Sequence, residues 1–154
     1  MIRKARVEDS RKIQEMINFY ASKGLMLPRS LSSIYEHIRD FFVYAIDDGI
    51  VACAALHVCW EDLAEIRALA VQEGCDSKGI GSRLVRSCLE EAQQLSISKI
   101  FCLTYIPQFF EKFGFRIIDK NELPKKIWGD CINCIKFPDC EEEAMIIELD
   151  KASK

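Results

Sequence analysis

The chain has 154 residues, 49% of them apolar and 29% charged, with a net charge of −3. That is the size and make-up of one globular domain covering residues 1–154, with no basic field to draw nucleic acid or an anionic membrane surface. No apolar run reaches the length of a membrane span and the N-terminus has no secretory pattern, so a cytoplasmic protein is expected.

Taken in order, Ile2–Val7 reads as a short edge strand. Glu8, Asp9 and Ser10 supply acidic and capping character for a helix whose apolar face is Ile13, Met16, Ile17 and Tyr20, ended by Gly24. Leu25–Ser30 is a loop, because Pro28 holds the residue before it extended. Ser30 or Ser33 caps a second helix striped by Leu31, Ile34, Tyr35 and Ile38. Phe41–Ile46 is a strand, Asp48 and Gly49 a hairpin turn, and Ile50–Trp60 the returning strand.

Leu63–Val71 is apolar except for Glu65 and Arg67, so it is a strand buried on at least one face. By alternation, Glu65, Arg67 and Val71 fall on one side of it. A glycine-rich break follows, with Gly74, Gly79 and Gly81, and then a helix carrying Leu84, Val85, Cys88, Leu89, Ala92 and Leu95 on one face. Strand, glycine turn and helix together make a phosphate site. The first amides of a helix lack internal partners, the helix dipole is positive there, and glycine leaves them uncovered. Ser77, Lys78, Gly79, Ile80, Gly81 and Ser82 therefore read as a diphosphate cradle. The alternative is a strand-to-helix turn with no ligand. The patterns of dinucleotide and nucleoside-triphosphate loops are both absent.

Beyond this helix, Lys99–Leu103 is a buried strand, Pro107–Phe113 a short helix capped by Gly114, Phe115–Asp119 a strand, and Ala144–Leu149 the last strand. Residues 120–143 form an irregular, cysteine-containing segment, with a short helix expected over Pro124–Trp128. Of the eight cysteines, Cys53, Cys59, Cys75, Cys88 and Cys102 are scattered, and those in strand- or helix-like runs read as small buried apolar residues. Cys131, Cys134 and Cys140 have partial zinc-ligand spacing but only three local thiols, so a metal site and free packing cysteines both stand, and no metal is assigned.

Asp76-Ser77-Lys78-Gly79-Ile80-Gly81, after a strand ending Leu69-Ala70-Val71, resembles the acetyl-CoA loop of the GNAT N-acetyltransferase superfamily. Asp76 stands where that family has Arg or Gln. Phe109-Phe110-Glu111-Lys112-Phe113-Gly114-Phe115 resembles a second motif of the same family, and the order of elements agrees from Ile2 to about Asp119. The resemblance implies a three-layer α/β (α+β) fold: a mixed, mostly antiparallel sheet, splayed between its fourth and fifth strands and flanked by helices. It also implies that the backbone of Leu69, Ala70 and Val71 pairs with the cofactor's pantetheine amides. Glu65 is then the candidate base, directly or through water, with a salt bridge to Arg67 as the alternative reading and His57 as a second choice of base. The family's tyrosine acid is replaced by Phe110, which leaves Tyr105 as the nearest hydroxyl, either as acid or as a packing residue.

Gly24–Ser30, Cys53–His57 and Glu65–Val71 look most like the acetyltransferase domain of N-acetylglutamate synthases, in their short form without an amino-acid-kinase domain. That likeness implies transfer of acetyl to the α-amine of L-glutamate, towards arginine, with Arg29 and Arg67 gripping the two substrate carboxylates. Lys136 matches a basic residue of the family only loosely. Feedback by arginine through a kinase domain is not assumed. The partners implied are a small-molecule amino-acid substrate and, as an open option, a second copy in a homodimer. The competing readings are an acetyltransferase for another small amine or a protein N-terminus, and a non-catalytic acetyl-CoA sensor.

Overall fold

The computed structural model describes residues 1–47, 49–75, 78–123 and 142–149. Its elements are β1 (Ile2–Lys4), α1 (Ser10–Ser22), α2 (Leu31–Glu36), β2 (Phe41–Ile46), β3 (Gly49–Trp60), β4 (Leu63–Val71), α3 (Ile80–Gln94), β5 (Lys99–Thr104), α4 (Pro107–Glu111), β6 (Arg116–Ile118) and β7 (Glu143–Glu148). The strands form one sheet in the order β1-β2-β3-β4-β5-β7-β6, antiparallel except for the β4–β5 pair. This is the mixed sheet flanked by helices that the sequence resemblance implies.

Each face of the sheet carries its own core. On one, Ile13, Met16 and Ile17 of α1 and Ile34 of α2 pack on Val43, Cys53, Ala55 and Ala70. On the other, Leu84, Val85, Cys88 and Ala92 of α3 pack on Ala54, Leu56, Ala64 and Ile66. Each large aliphatic chain buried this way contributes ~1.5–3 kcal/mol. The alanines and Cys53 along β3 and β4 let helices approach from both sides.

Local chemistry moves several boundaries from their expected places. β1 stops at Lys4 because the Asp9 carboxylate accepts from Arg3 (2.7 and 3.1 Å) and from the Arg6 amide (2.8 Å), and this draws Val7–Asp9 into a 3-10 turn. α2 is capped by the Ser30 hydroxyl, which accepts from the Ser33 amide, and gives way to a second 3-10 turn at Ile38–Asp40. α4 ends at Glu111, since the Phe113 and Gly114 amides tighten onto Phe110 and Glu111 and Gly114 takes φ 99°. The segment 120–143 opens with a 3-10 turn at Lys120–Glu122, and Glu143 already belongs to β7. The expected helix Pro124–Trp128, the three clustered cysteines and Lys136 lie outside the described residues. No helix among the described residues is long and apolar enough to cross a membrane.

Candidate functional site

Two departures from sheet regularity create the site. The first is the splay. β4 and β5 pair only at Ala64–Ile100 and Glu65–Phe101, after which β4 runs on to Val71 and β5 to Thr104 with no further register between them. The backbone of Leu69, Ala70 and Val71 thus lies along the part of β4 beyond this pairing.

The second is a β-bulge. Arg67 lies opposite Ala55 and Ala70 opposite Cys53, so three steps along β4 match two along β3, and Ala68 takes a left-handed φ of 56°. The extra residue shifts the alternation. Side chains directly opposite on an antiparallel pair share a face, so Glu65 sits with His57, and Arg67 with Ala55, on the α1–α2 side. Leu69 and Val71 instead pack with the α3 core. Glu65 and Arg67 share a face as expected. The expectation that Val71 shares it with them is overturned by the bulge.

The turn before α3 is built as a cradle requires. Gly79, the N-cap, takes φ 73°, and nothing lies within 4 Å of where its Cβ would be. A Cβ on Gly81 would meet the Phe109 ring at 3.5 Å and Val71 Cγ2 at 3.8 Å, so the first turn of α3 sits between the end of β4 and α4. The amides of Ile80, Gly81 and Ser82 precede the helix's own ladder, which starts with the Arg83 amide on the Gly79 carbonyl at 3.2 Å. Lys78 is exposed beside them. Ser77 and Asp76 lie outside the described residues. A length of β4 past its pairing with β5, a left-handed glycine cap and helix amides ahead of the helix's own ladder fit a pantetheine diphosphate. Tyr20 of α1 donates its hydroxyl proton to the Val71 carbonyl and ties the end of β4 to α1. In sequence Tyr20 reads only as part of an apolar stripe, so this contact is not foreseeable.

On the α1–α2 face a small pocket, open to solvent, is lined by Arg29, Ser33, His37, Asp40, Arg67 and Ala68, among others. The two arginines predicted to bind substrate are therefore brought together. Arg67 Nη1 is 3.8 Å from Glu65 Oε1, with both side chains mostly buried. The salt bridge raised as an alternative to the base is thus present, and at that length it is an ion pair without a good hydrogen bond. His57 Nδ1 is 2.8 Å from Asp40 Oδ2, and its ring meets His37 edge-on at 5.3 Å. His37 Nδ1 faces the Ser33 carbonyl at 2.9 Å; a carbonyl only accepts, so that nitrogen carries the proton. Asp40 and His37 were not singled out in the sequence. They sit in the connection between α2 and β2, far along the chain from His57, with no motif to link them.

Phe110 is buried and meets Phe109 and Phe115 edge-to-face, so it is a core residue with nothing to donate. Tyr105 is half-buried one residue past β5, in a turn held by the Ile106 amide on Thr104 Oγ1 at 2.9 Å. Burial pushes the Cys53 and Cys88 thiols up to about 12 and raises Cys102 as well, which makes all three poor nucleophiles and poor acyl carriers. Cys59 and Cys75, also free, are half-buried. Among the described residues no cluster of His, Cys, Asp or Glu could hold a metal ion.

Residues 37–117 match the acetyltransferase (GNAT) domain family. An uncharacterized N-acetyltransferase of Chlorobaculum tepidum is 41% identical, over 96% of this chain and 96% of its own. An amino-acid acetyltransferase of Mycobacterium tuberculosis is 33% identical, over 84% of this chain and 76% of its own. A crystal structure of a Mycobacterium tuberculosis protein in complex with CoA superposes with TM-score 0.83 at 30% identity, covering 97% of this chain and 99% of that one. The N-acetylglutamate synthase of Neisseria gonorrhoeae, complexed with coenzyme A and N-acetyl-glutamate, superposes with TM-score 0.89 at 27% identity, covering 98% of this chain but only 35% of that one.

Proposed function

This chain belongs to the GNAT acetyltransferase family, and on that footing we propose that it moves acetyl from acetyl-CoA to the α-amine of an acidic amino acid, L-glutamate, as in the first step towards arginine. One observation carries the choice of acceptor: Arg29 and Arg67 line a single pocket, on the sheet face that also bears Glu65. A substrate with two carboxylates suits two guanidinium forks, each able to grip bidentately. A polyamine would meet the same two cations, with the nearby carboxylates already engaged, Asp40 with His57 and Glu65 with Arg67. The amino-acid acetyltransferase and N-acetylglutamate synthase names of the relatives support the same reading.

Acetyl-CoA supplies the acetyl group as a thioester, and the free thiol is the leaving form. The amides of Gly79, Ile80, Gly81 and Ser82, with Lys78 and Ser77, hold the diphosphate, and the β4 backbone at Leu69–Val71 pairs with the pantetheine. A backbone N–H at or near Val71 polarises the acetyl carbonyl. Glu65 removes a proton from the substrate ammonium, so the nitrogen attacks as a neutral amine. The C–N bond forms and the C–S bond breaks; Tyr105 protonates the departing sulfur, and the second proton lost by the attacking nitrogen returns to the Tyr105 oxygen through solvent. With Cys53, Cys88 and Cys102 buried and protonated, direct attack is favoured over an acyl-cysteine route.

Thiol release measured with L-glutamate, with a neutral amino acid and with spermidine tests this. Turnover of glutamate well above the other two is expected. Preference for spermidine would overturn the acceptor assignment.

A further inference from the structure

Arg29 lies in a stretch without regular structure between α1 and α2, directly after Pro28, yet both of its backbone polar groups are held by side chains of α1. Its amide donates to Asn18 Oδ1 at 3.1 Å, and its carbonyl accepts from Gln14 Nε2 at 3.2 Å. The amide orientations follow from chemistry. A backbone N–H can only donate and a carbonyl can only accept, so Asn18 must present oxygen and Gln14 nitrogen.

Gln14 and Asn18 are four residues apart on a helix and so stand one above the other on one side of it. The adjoining side of α1 is anchored in the core through Ile13 and Ile17, both fully buried. The two amides act as a strand would, pairing with one residue of a passing chain on a rigid mount.

We propose that Gln14 and Asn18 are positioning residues for substrate: an amide clamp that fixes the Arg29 backbone so that its guanidinium is delivered into the pocket it shares with Arg67. The inference rests on the proposed role of Arg29 as a carboxylate grip. A loop arginine without such anchoring samples many placements, and a displacement of about 1 Å can cost ~100-fold in a positioned reaction. The clamp lowers the ordering that substrate binding must otherwise supply.

A double-mutant cycle tests this, with L-glutamate as acceptor and both KM values measured for Arg29→Ala, Asn18→Leu and the double variant. Asn18→Leu keeps size and removes the acceptor. It should raise the KM for glutamate about 3–10-fold and leave that for acetyl-CoA within about 2-fold, as expected of lost preorganisation. In the Arg29→Ala background it should have no further effect. Gln14→Met, which removes the donor at nearly constant shape, should behave the same way and carries the test should Asn18→Leu not fold. Effects that add in both backgrounds, or that move both KM values together, would mean general structural support and overturn the clamp. If Arg29→Ala raises the glutamate KM while Asn18→Leu and Gln14→Met do not, the clamp alone fails. If Arg29→Ala itself leaves that KM unchanged, the acceptor assignment fails, and the clamp with it.

Discussion

Glu65 and Val71 belong to the same strand, yet their side chains leave opposite faces of the sheet, because Ala68 is the extra residue of a β-bulge. Glu65 thereby joins Arg67 and the pocket on the α1–α2 face, while Val71 packs toward α3 and the glycine turn. The proposed base and substrate cations are on one side, the proposed diphosphate cradle on the other, and the splay between β4 and β5 lies between them.

The bulge itself is open to test. At φ 56°, Ala68 is in a region that glycine enters freely and β-branched residues avoid. Ala68→Gly should change unfolding free energy by no more than about 1 kcal/mol, as relief of strain offsets the added freedom of the unfolded chain. Ala68→Val should cost about 1–3 kcal/mol. Urea unfolding distinguishes them, and equal tolerance of both would mean the strand is not bulged there.

Gly81 separates a structural role from a ligand-binding one. A methyl at this position meets its protein neighbours at ordinary contact distance, and alanine favours a helix by about 1 kcal/mol over glycine. Gly81→Ala should therefore melt at the same or a higher temperature than the parent. Its affinity for acetyl-CoA should nevertheless fall, because the methyl covers the amides proposed to hold the diphosphate. Calorimetric titration with coenzyme A reads this directly; unchanged affinity would remove Gly81 from the cradle.

Away from the site, the Arg3 guanidinium holds the Asp9 carboxyl below its usual range, chiefly by hydrogen bonding. A carboxyl depressed in the folded state adds stability that is complete above its unfolded value of about 3.9 and disappears as pH falls through the folded one. Arg3→Leu should thus lower the melting temperature at neutral pH. Its deficit should shrink as the pH drops below about 4. A deficit that stays constant across a series of melts from neutral to acid would show that the loss is one of packing.

How much of this was readable from the residues depends on the range over which each feature is determined. β2 and β4 begin and end where their apolar runs do, because burial on a sheet face is written in consecutive residues. The pairing of Arg29 with Arg67 came through the family resemblance, and their common pocket requires the folded sheet. The bulge left no mark, since an alanine at positive φ carries none of the signal a glycine would. Asp40 and His57, or Gln14 and Arg29, meet only after helices dock, and Asp40 and Gln14 alone read as ordinary polar surface residues. α4 is shorter than its aromatic pattern suggests because the Phe113 and Gly114 amides bond carbonyls three residues back and Gly114 takes a positive φ, which side-chain periodicity does not reveal.

The most direct measurement is the steady-state rate of Glu65→Gln with L-glutamate and acetyl-CoA. Glutamine keeps the shape of the side chain but cannot take the ammonium proton. kcat should fall by about 10²–10⁴-fold, the usual contribution of a positioned base, with coenzyme A affinity unchanged. A variant that turns over at the parental rate would contradict acetyl transfer on the α1–α2 face with Glu65 as its proton acceptor.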